Sequence, residues 1–236
     1  MSFRTSVTIV ASPRPRVGKT LTARLITDFH SYEGRKAAGF DLGGGAHRLA
    51  KFLPAQVAEA TIDDIHGQMA LFDALVAADD GPKIVDLGAD KYEEFFTLAE
   101  QFGFVDEACA RGIAPAVLFV LTPDRTSIEA YRGLRRRFPR MALAPVHNEM
   151  FGPTPPRERY ALGPNDPVLR LPMLAPALRR LVDAPPYGFA AVEGAGIPPD
   201  AQVELRRWLR RIYHQFRELD LRLLLADLQS SIRFGA

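Results

Sequence analysis

From its first residues the chain alternates short apolar runs with stretches whose apolar positions recur every three or four residues. Residues 6–11 are β-branched and suit a buried strand; from residue 18 to about 30, Leu21, Leu25, Ile26 and Phe29 recur at helical spacing. A second strand is expected over 35–42, with Asp41 near its end and Gly43, Gly44 and Gly45 after it. Residues 56–78 carry a helical pattern with Ile62, Ile65, Met69, Phe72, Leu75 and Val76 on one side, closed by Asp79-Asp80-Gly81-Pro82. Residues 83–88 read as a strand carrying Asp86, 92–111 as a helix, and 116–121 as a strongly apolar strand. A helix to about 138 and a strand over 141–147 follow, then an excursion rich in Pro, Gly and charge over 151–167. A short strand over 168–174, a helical turn or two over 178–182 and a loop over 185–199 lead to a long helix at about 200–230. Its apolar stripe is Leu205, Trp208, Leu209, Ile212, Phe216, Leu219 and Leu223.

Apolar strands that do not alternate, separated by helices, predict an α/β fold: a doubly wound, mostly parallel sheet with helices on both faces. Ligands of such sheets sit at the carboxyl ends of the strands, which is where Ser12 onward, Asp41, Asp86 and Asn148 are expected. At 236 residues, one domain over 1–236 is expected.

The sharpest chemistry lies between the first strand and the first helix, in Ser12-Pro13-Arg14-Pro15-Arg16-Val17-Gly18-Lys19-Thr20. A strand that ends in such a loop and restarts as a helix at Gly-Lys-Thr matches the second half of the phosphate-loop pattern G-x-x-x-x-G-K-[ST]. In that pattern backbone N–H groups and the helix N-terminus surround phosphates, Lys neutralises the β/γ charge and the hydroxyl ligates Mg²⁺. Pro13 stands at the first glycine position.

With two acids at later strand ends, these residues resemble the ParA/MinD-type ATPases, whose loop reads G-K-G-G-x-G-K-[ST], and the resemblance implies the P-loop NTPase fold. It covers roughly residues 6–180. It implies that the amides of Arg16, Val17, Gly18, Lys19 and Thr20 hold the phosphates of ATP or ADP, with Lys19 neutralising their charge. Thr20 would ligate Mg²⁺ and Asp86 would hold its water shell. Asp41, in Phe40-Asp41-Leu42-Gly43, would orient the attacking water, and Arg14 falls where the family has a lysine that reaches a partner's nucleotide across a homodimer formed on ATP binding. Asn148 and Pro172 would contact and bracket the adenine. Pro13 and Pro15 replace glycines, removing two N–H donors and restricting φ, which favours weak turnover or, alternatively, an adaptor that binds nucleotide without hydrolysing it. Each residue also has a plain reading: Asp86 as a cap, Asp41 as a turn former before the glycines, Arg14 as a solvated loop charge, Asn148 as a strand-end turn.

Composition adds little beyond this. The net charge of +2 implies no polyanion partner by itself, but arginines cluster at Arg132, Arg135 and Arg136 and at Arg206, Arg207 and Arg210. These could touch DNA phosphates, as the resembling partition ATPases do; solvated helix faces are the alternative. One cysteine, Cys109, excludes an internal disulfide framework. No membrane span and no secretory segment are read, so a cytoplasmic location is expected. The five histidines lack metal-ligand spacing, and no G-x-S-x-G elbow occurs.

Overall fold

The computed structural model describes residues 5–44, 48–77, 79, 81–152, 156–162, 166–189 and 197–234, the last nine of these as backbone. Gly45, Asp80 and parts of the expected 151–167 and 185–199 loops lie outside the described residues.

Seven strands form one parallel sheet in the order β3-β2-β4-β1-β5-β6-β7. They are β1 (Ser6–Ala11), β2 (Ala38–Asp41), β3 (Val57–Glu59), β4 (Lys83–Asp86), β5 (Ala114–Val120), β6 (Ala142–Asn148) and β7 (Leu169–Leu171). The eight α-helices of the described residues are α1 (Lys19–Tyr32), α2 (Leu49–Phe52), α3 (Ile65–Val76), α4 (Tyr92–Gln101), α5 (Phe104–Ala110), α6 (Arg125–Arg137), α7 (Pro176–Val182) and α8 (Pro199–Phe234). β1 is central, between β4 and β5, and the chain leaves it first toward β2 and later toward β5. The crevice beyond β1 is therefore a switch point, the usual ligand position in an open α/β sheet.

Both faces of the sheet are covered, which explains strands without polar alternation. Val10, Ile84, Leu118 and Val146 pack on one side with Phe29 of α1 and Leu205, Trp208, Ile212 and Phe216 of α8. Val7, Ile9, Val85, Val117 and Phe119 pack on the other with Phe72, Phe95, Phe96, Phe104 and Tyr131. The stripe expected on the last helix is thus the core face of α8, with Leu223 partly buried against it.

Two expected helices are corrected. Residues 57–59 are an edge strand pairing with β2, and α3 begins only at Ile65, where the Asp64 side chain accepts from Gly67 N at 2.8 Å as an N-cap. Ile65 and Met69 are consequently exposed at 73% and 56%, while Phe72, Leu75 and Val76 reach the core. The expected 92–111 helix breaks at Gly103, whose φ of 60° lies in the left-handed region that glycine adopts at no steric cost.

Candidate functional site

Asp41, Asp86 and Asn148 are the last residues of β2, β4 and β6, so in a parallel sheet all three emerge at the edge where the loop after β1 begins. Asp41 and Asp86 are direct neighbours in the β2–β4 register.

The loop is built around two left-handed residues, Arg16 at φ 60° and Gly18 at φ 100°. Gly18 is required twice over. A Cβ there would lie 2.4 Å from Asn148 Nδ2, and that amide donates to Val17 O at 3.2 Å while Asn148 Oδ1 accepts from Met150 N. Arg16 holds its conformation at a cost of about 1–2 kcal/mol, because its Cβ crowds the following carbonyl. Among the described residues, none of the N–H groups of Arg16, Val17, Gly18, Lys19 and Thr20 has an acceptor. Five successive free donors, two of them opening a helix, form an anion-binding concavity. Pro13 and Pro15 contribute no N–H, and the Arg14 N–H is spent on Ser12 Oγ at 3.3 Å.

Thr20 Oγ1 donates to Asp86 Oδ2 at 2.7 Å, joining residues 66 positions apart. Burial, opposed by that hydrogen bond and by Lys19 but assisted by Asp41, pushes the Asp86 carboxyl up to about 7. Lys19 is 8% exposed and its Nζ donates to Arg14 O at 2.7 Å. Desolvation lowers its pKa, while Asp86 and Asp90 hold the charge on. A buried carboxylate facing a hydroxyl and an ammonium fits a hydrated Mg²⁺, which takes few protein ligands and the rest from water and phosphate. Among the described residues, no group of three or more His, Cys, Asp or Glu gathers.

Asp41 is wholly buried, with Oδ1 accepting from Gly43 N and Oδ2 from Ala50 N, both at 2.8 Å, and Arg48 Nε 3.9 Å away. It therefore ties the segment after β2 to the start of α2.

Arg14 does not extend freely into solvent. Its Nε and Nη2 donate to Asp124 Oδ1 at 2.9 and 2.6 Å, and Nη2 to Thr126 Oγ1 at 3.2 Å. Asp124 also caps α6 and accepts from Thr122. Although desolvation opposes ionisation, these donors bring its carboxyl down to about 2.

Pro172 follows the β7 residue paired with Asn148. Its carbonyl accepts from the Trp208 indole at 2.8 Å, and it lines a cavity of about 420 Å³ with Met173, Val203 and Arg207.

Sequence reasoning missed Asp90 and the backbone demand at Arg16. Asp90 lies four residues past Asp86, where a Cβ on Gly88 would meet Asp90 Oδ1 at 2.6 Å and Leu42 O at 2.8 Å. A second acid in Asp86-Leu87-Gly88-Ala89-Asp90 was the available signal.

Of the arginine clusters, Arg135 donates to Ala161 O, and beside it Arg137 pairs with Glu100 and Arg140 with Asp106, outside the named clusters; Arg132, Arg136, Arg207 and Arg210 are exposed. No helix among the described residues is long and apolar enough to cross a membrane.

No family model matches the sequence, and no curated protein matches it. Solved structures do. The chain is similar to the MinC:MinD cell division protein complex of Aquifex aeolicus at TM-score 0.54 and 17% identity, covering 88% of this chain and 95% of that one. It is similar to the MinD cell division protein of the same organism at TM-score 0.51 and 17% identity, covering 88% and 96%. With the parallel sheet and the strand–loop–helix at Gly18-Lys19-Thr20, these define the class: the chain has the α/β fold of a P-loop NTPase.

Proposed function

We propose that this protein is a cytoplasmic ATP-binding switch of the ParA/MinD type. It binds ATP with Mg²⁺ in the loop after β1, dimerises around the nucleotide and hydrolyses it slowly, in a DNA or plasmid partitioning, transfer or positioning role. The observation that carries the reading is the Thr20–Asp86 hydrogen bond of 2.7 Å beside five unengaged loop amides.

Those amides bind the phosphates. Lys19 leaves the Arg14 carbonyl to neutralise the β/γ oxygens, and because it is already only 8% exposed little further desolvation accompanies that move. Thr20 and Asp86 would hold Mg²⁺ and its water shell; the ion, when bound, offsets phosphate charge as the γ-phosphoryl group is transferred. Asp41 orients the attacking water. Its oxygens each accept one backbone N–H, and a carboxylate has about four lone-pair sites, so acceptor capacity remains. Asn148 holds the loop from below on the adenine side, and Pro172 brackets the base.

A second reading, a non-hydrolysing adaptor, is favoured by Pro13, Pro15 and the Arg14–Asp124 pair, which together leave the first half of the loop without a free donor or cation. Calorimetry with Mg²⁺ and ATP, paired with phosphate release, separates the two. The switch reading expects binding that Lys19→Ala abolishes, slow release, and a larger species in gel filtration with ATP and Mg²⁺. Binding without release over hours selects the adaptor, and no binding by the wild type rejects both.

A further inference from the structure

The loop's two arginines are in opposite situations. Arg14 is committed within its own chain, to Asp124 and Thr126. Arg16 is exposed, and among the described residues its guanidinium has neither a hydrogen-bond nor an ion-pair partner. It also occupies the left-handed region at φ 60°, where glycine fits without steric cost. A side chain kept there gains no core packing, no cap and no ion pair. It does place a permanent cation in the run of residues whose five amides lack acceptors, three positions before Lys19. The loop's path imposes this conformation, and residues held in sparsely populated backbone regions cluster at active sites and ligand clamps.

Resting on the ATP-site reading above, we infer that the Arg16 guanidinium is a catalytic contact to the terminal phosphate of the nucleotide, the role that the resemblance assigns to Arg14. A planar guanidinium donates two parallel hydrogen bonds to phosphate oxygens and stays protonated throughout. In the reaction the water oxygen forms a new bond to the γ-phosphorus and the bond from that phosphorus to the β–γ bridging oxygen breaks. The bridging oxygen leaves on ADP, and the water proton goes to the phosphate released. Charge grows on the bridging oxygen that leaves, beside the terminal oxygens, so a guanidinium donating to a terminal oxygen and to that bridge attracts the transition state more than the bound substrate.

Arg16→Gly separates this role from a structural one, because glycine removes the cation and the strain together. The expected result is a melting temperature that holds or rises, by up to about 4 °C. Phosphate release from Mg-ATP falls about 100-fold or more, with binding of a fluorescent ATP analogue weakened far less. Arg16→Lys retains part of the rate. Mixing Arg16→Gly with Lys19→Ala tests where the contact is made: recovered release shows Arg16 acting on a second copy's nucleotide, and no recovery shows it acting on its own, either agreeing with the inference. Wild-type turnover in Arg16→Gly overturns the inference and leaves the ATP site standing. A wild type that binds ATP without hydrolysing it also overturns the catalytic role, whereas one that binds none overturns the site reading too.

Discussion

Asn148 Nδ2 stands 2.4 Å from the point a Cβ on Gly18 would occupy, so the last turn of the loop and the end of β6 meet with no space for a methyl group. Gly18→Ala must therefore strain a left-handed residue and displace an amide that bonds Val17 O. The expected cost is about 2–3 kcal/mol, or a fall of roughly 5–10 °C in melting temperature. The Gly18→Ala, Asn148→Ala double variant loses less than the two single losses added. Strict additivity in thermal denaturation would contradict this packing.

Asp86 makes the second expectation one of pH. Its carboxyl is pushed up to about 7 in the fold, against an ordinary value of 3.8, so between those values the folded state holds a proton that the unfolded chain has lost. Stability from this group is complete below about pH 4 and drains away as pH rises toward 7. Asp86→Asn should flatten that limb in urea titrations at pH 5 and 7, and raise stability at pH 7 by about 2 kcal/mol. Mg-ATP affinity, which needs the ionised carboxylate, strengthens with pH up to about 7 in the wild type. An unchanged pH profile in the variant would be the contrary result.

His30 carries the opposite sign. It is 1% exposed, neither ring nitrogen has a partner among the described residues, and burial with help from Arg35 drives its pKa down to about 3. The unfolded chain takes up a proton below about pH 6.5 that the fold refuses, so this contribution is whole at neutral pH and is lost as pH falls toward 3. His30→Leu should gain about 1–2 kcal/mol at pH 7, and more at pH 5. A variant less stable than wild type at both values would show that the imidazole is satisfied after all.

Arg24 is 1% exposed in α1, its guanidinium carbon 3.8 Å from the Phe52 ring centre and 4.9 Å from that of Phe189, with Nη2 on Tyr187 O at 2.9 Å. Burial brings its pKa down to about 10 although Asp28 and Asp183 favour the charge. It joins α1 to α2, whose Ala50 N–H bonds Asp41. Arg24→Ala should cost about 3–5 kcal/mol by urea denaturation. Arg24→Lys should recover little, since an ammonium neither stacks nor forks as a guanidinium does. Full recovery with Lys would show that charge alone is used.

Much of this was legible in the chain itself. Apolar runs at 6–11, 83–88 and 116–121 announced buried parallel strands because both faces of the sheet are covered and no polar alternation interrupts them. Residues 57–59 were not legible, since three residues are too few to show a period and only Val57 is buried. Ile65 and Met69 fitted a helical stripe by spacing, but spacing does not say which side finds a partner.

Sequence by itself determined that a β-branched strand ends in a loop, that the loop restarts as a helix at Gly18-Lys19-Thr20, and that Asp41 and Asp86 follow near strand ends. These are local facts, set by periodicity and turn chemistry within about a dozen residues. Only the tertiary structure decided that Arg14 turns to Asp124, 110 positions away, that Asn148 closes on Gly18, and that Arg16 is the strained, unpaired cation of the loop. Those outcomes depend on which strand ends become neighbours in the β1-centred sheet, and contacts made across it leave no period in the chain.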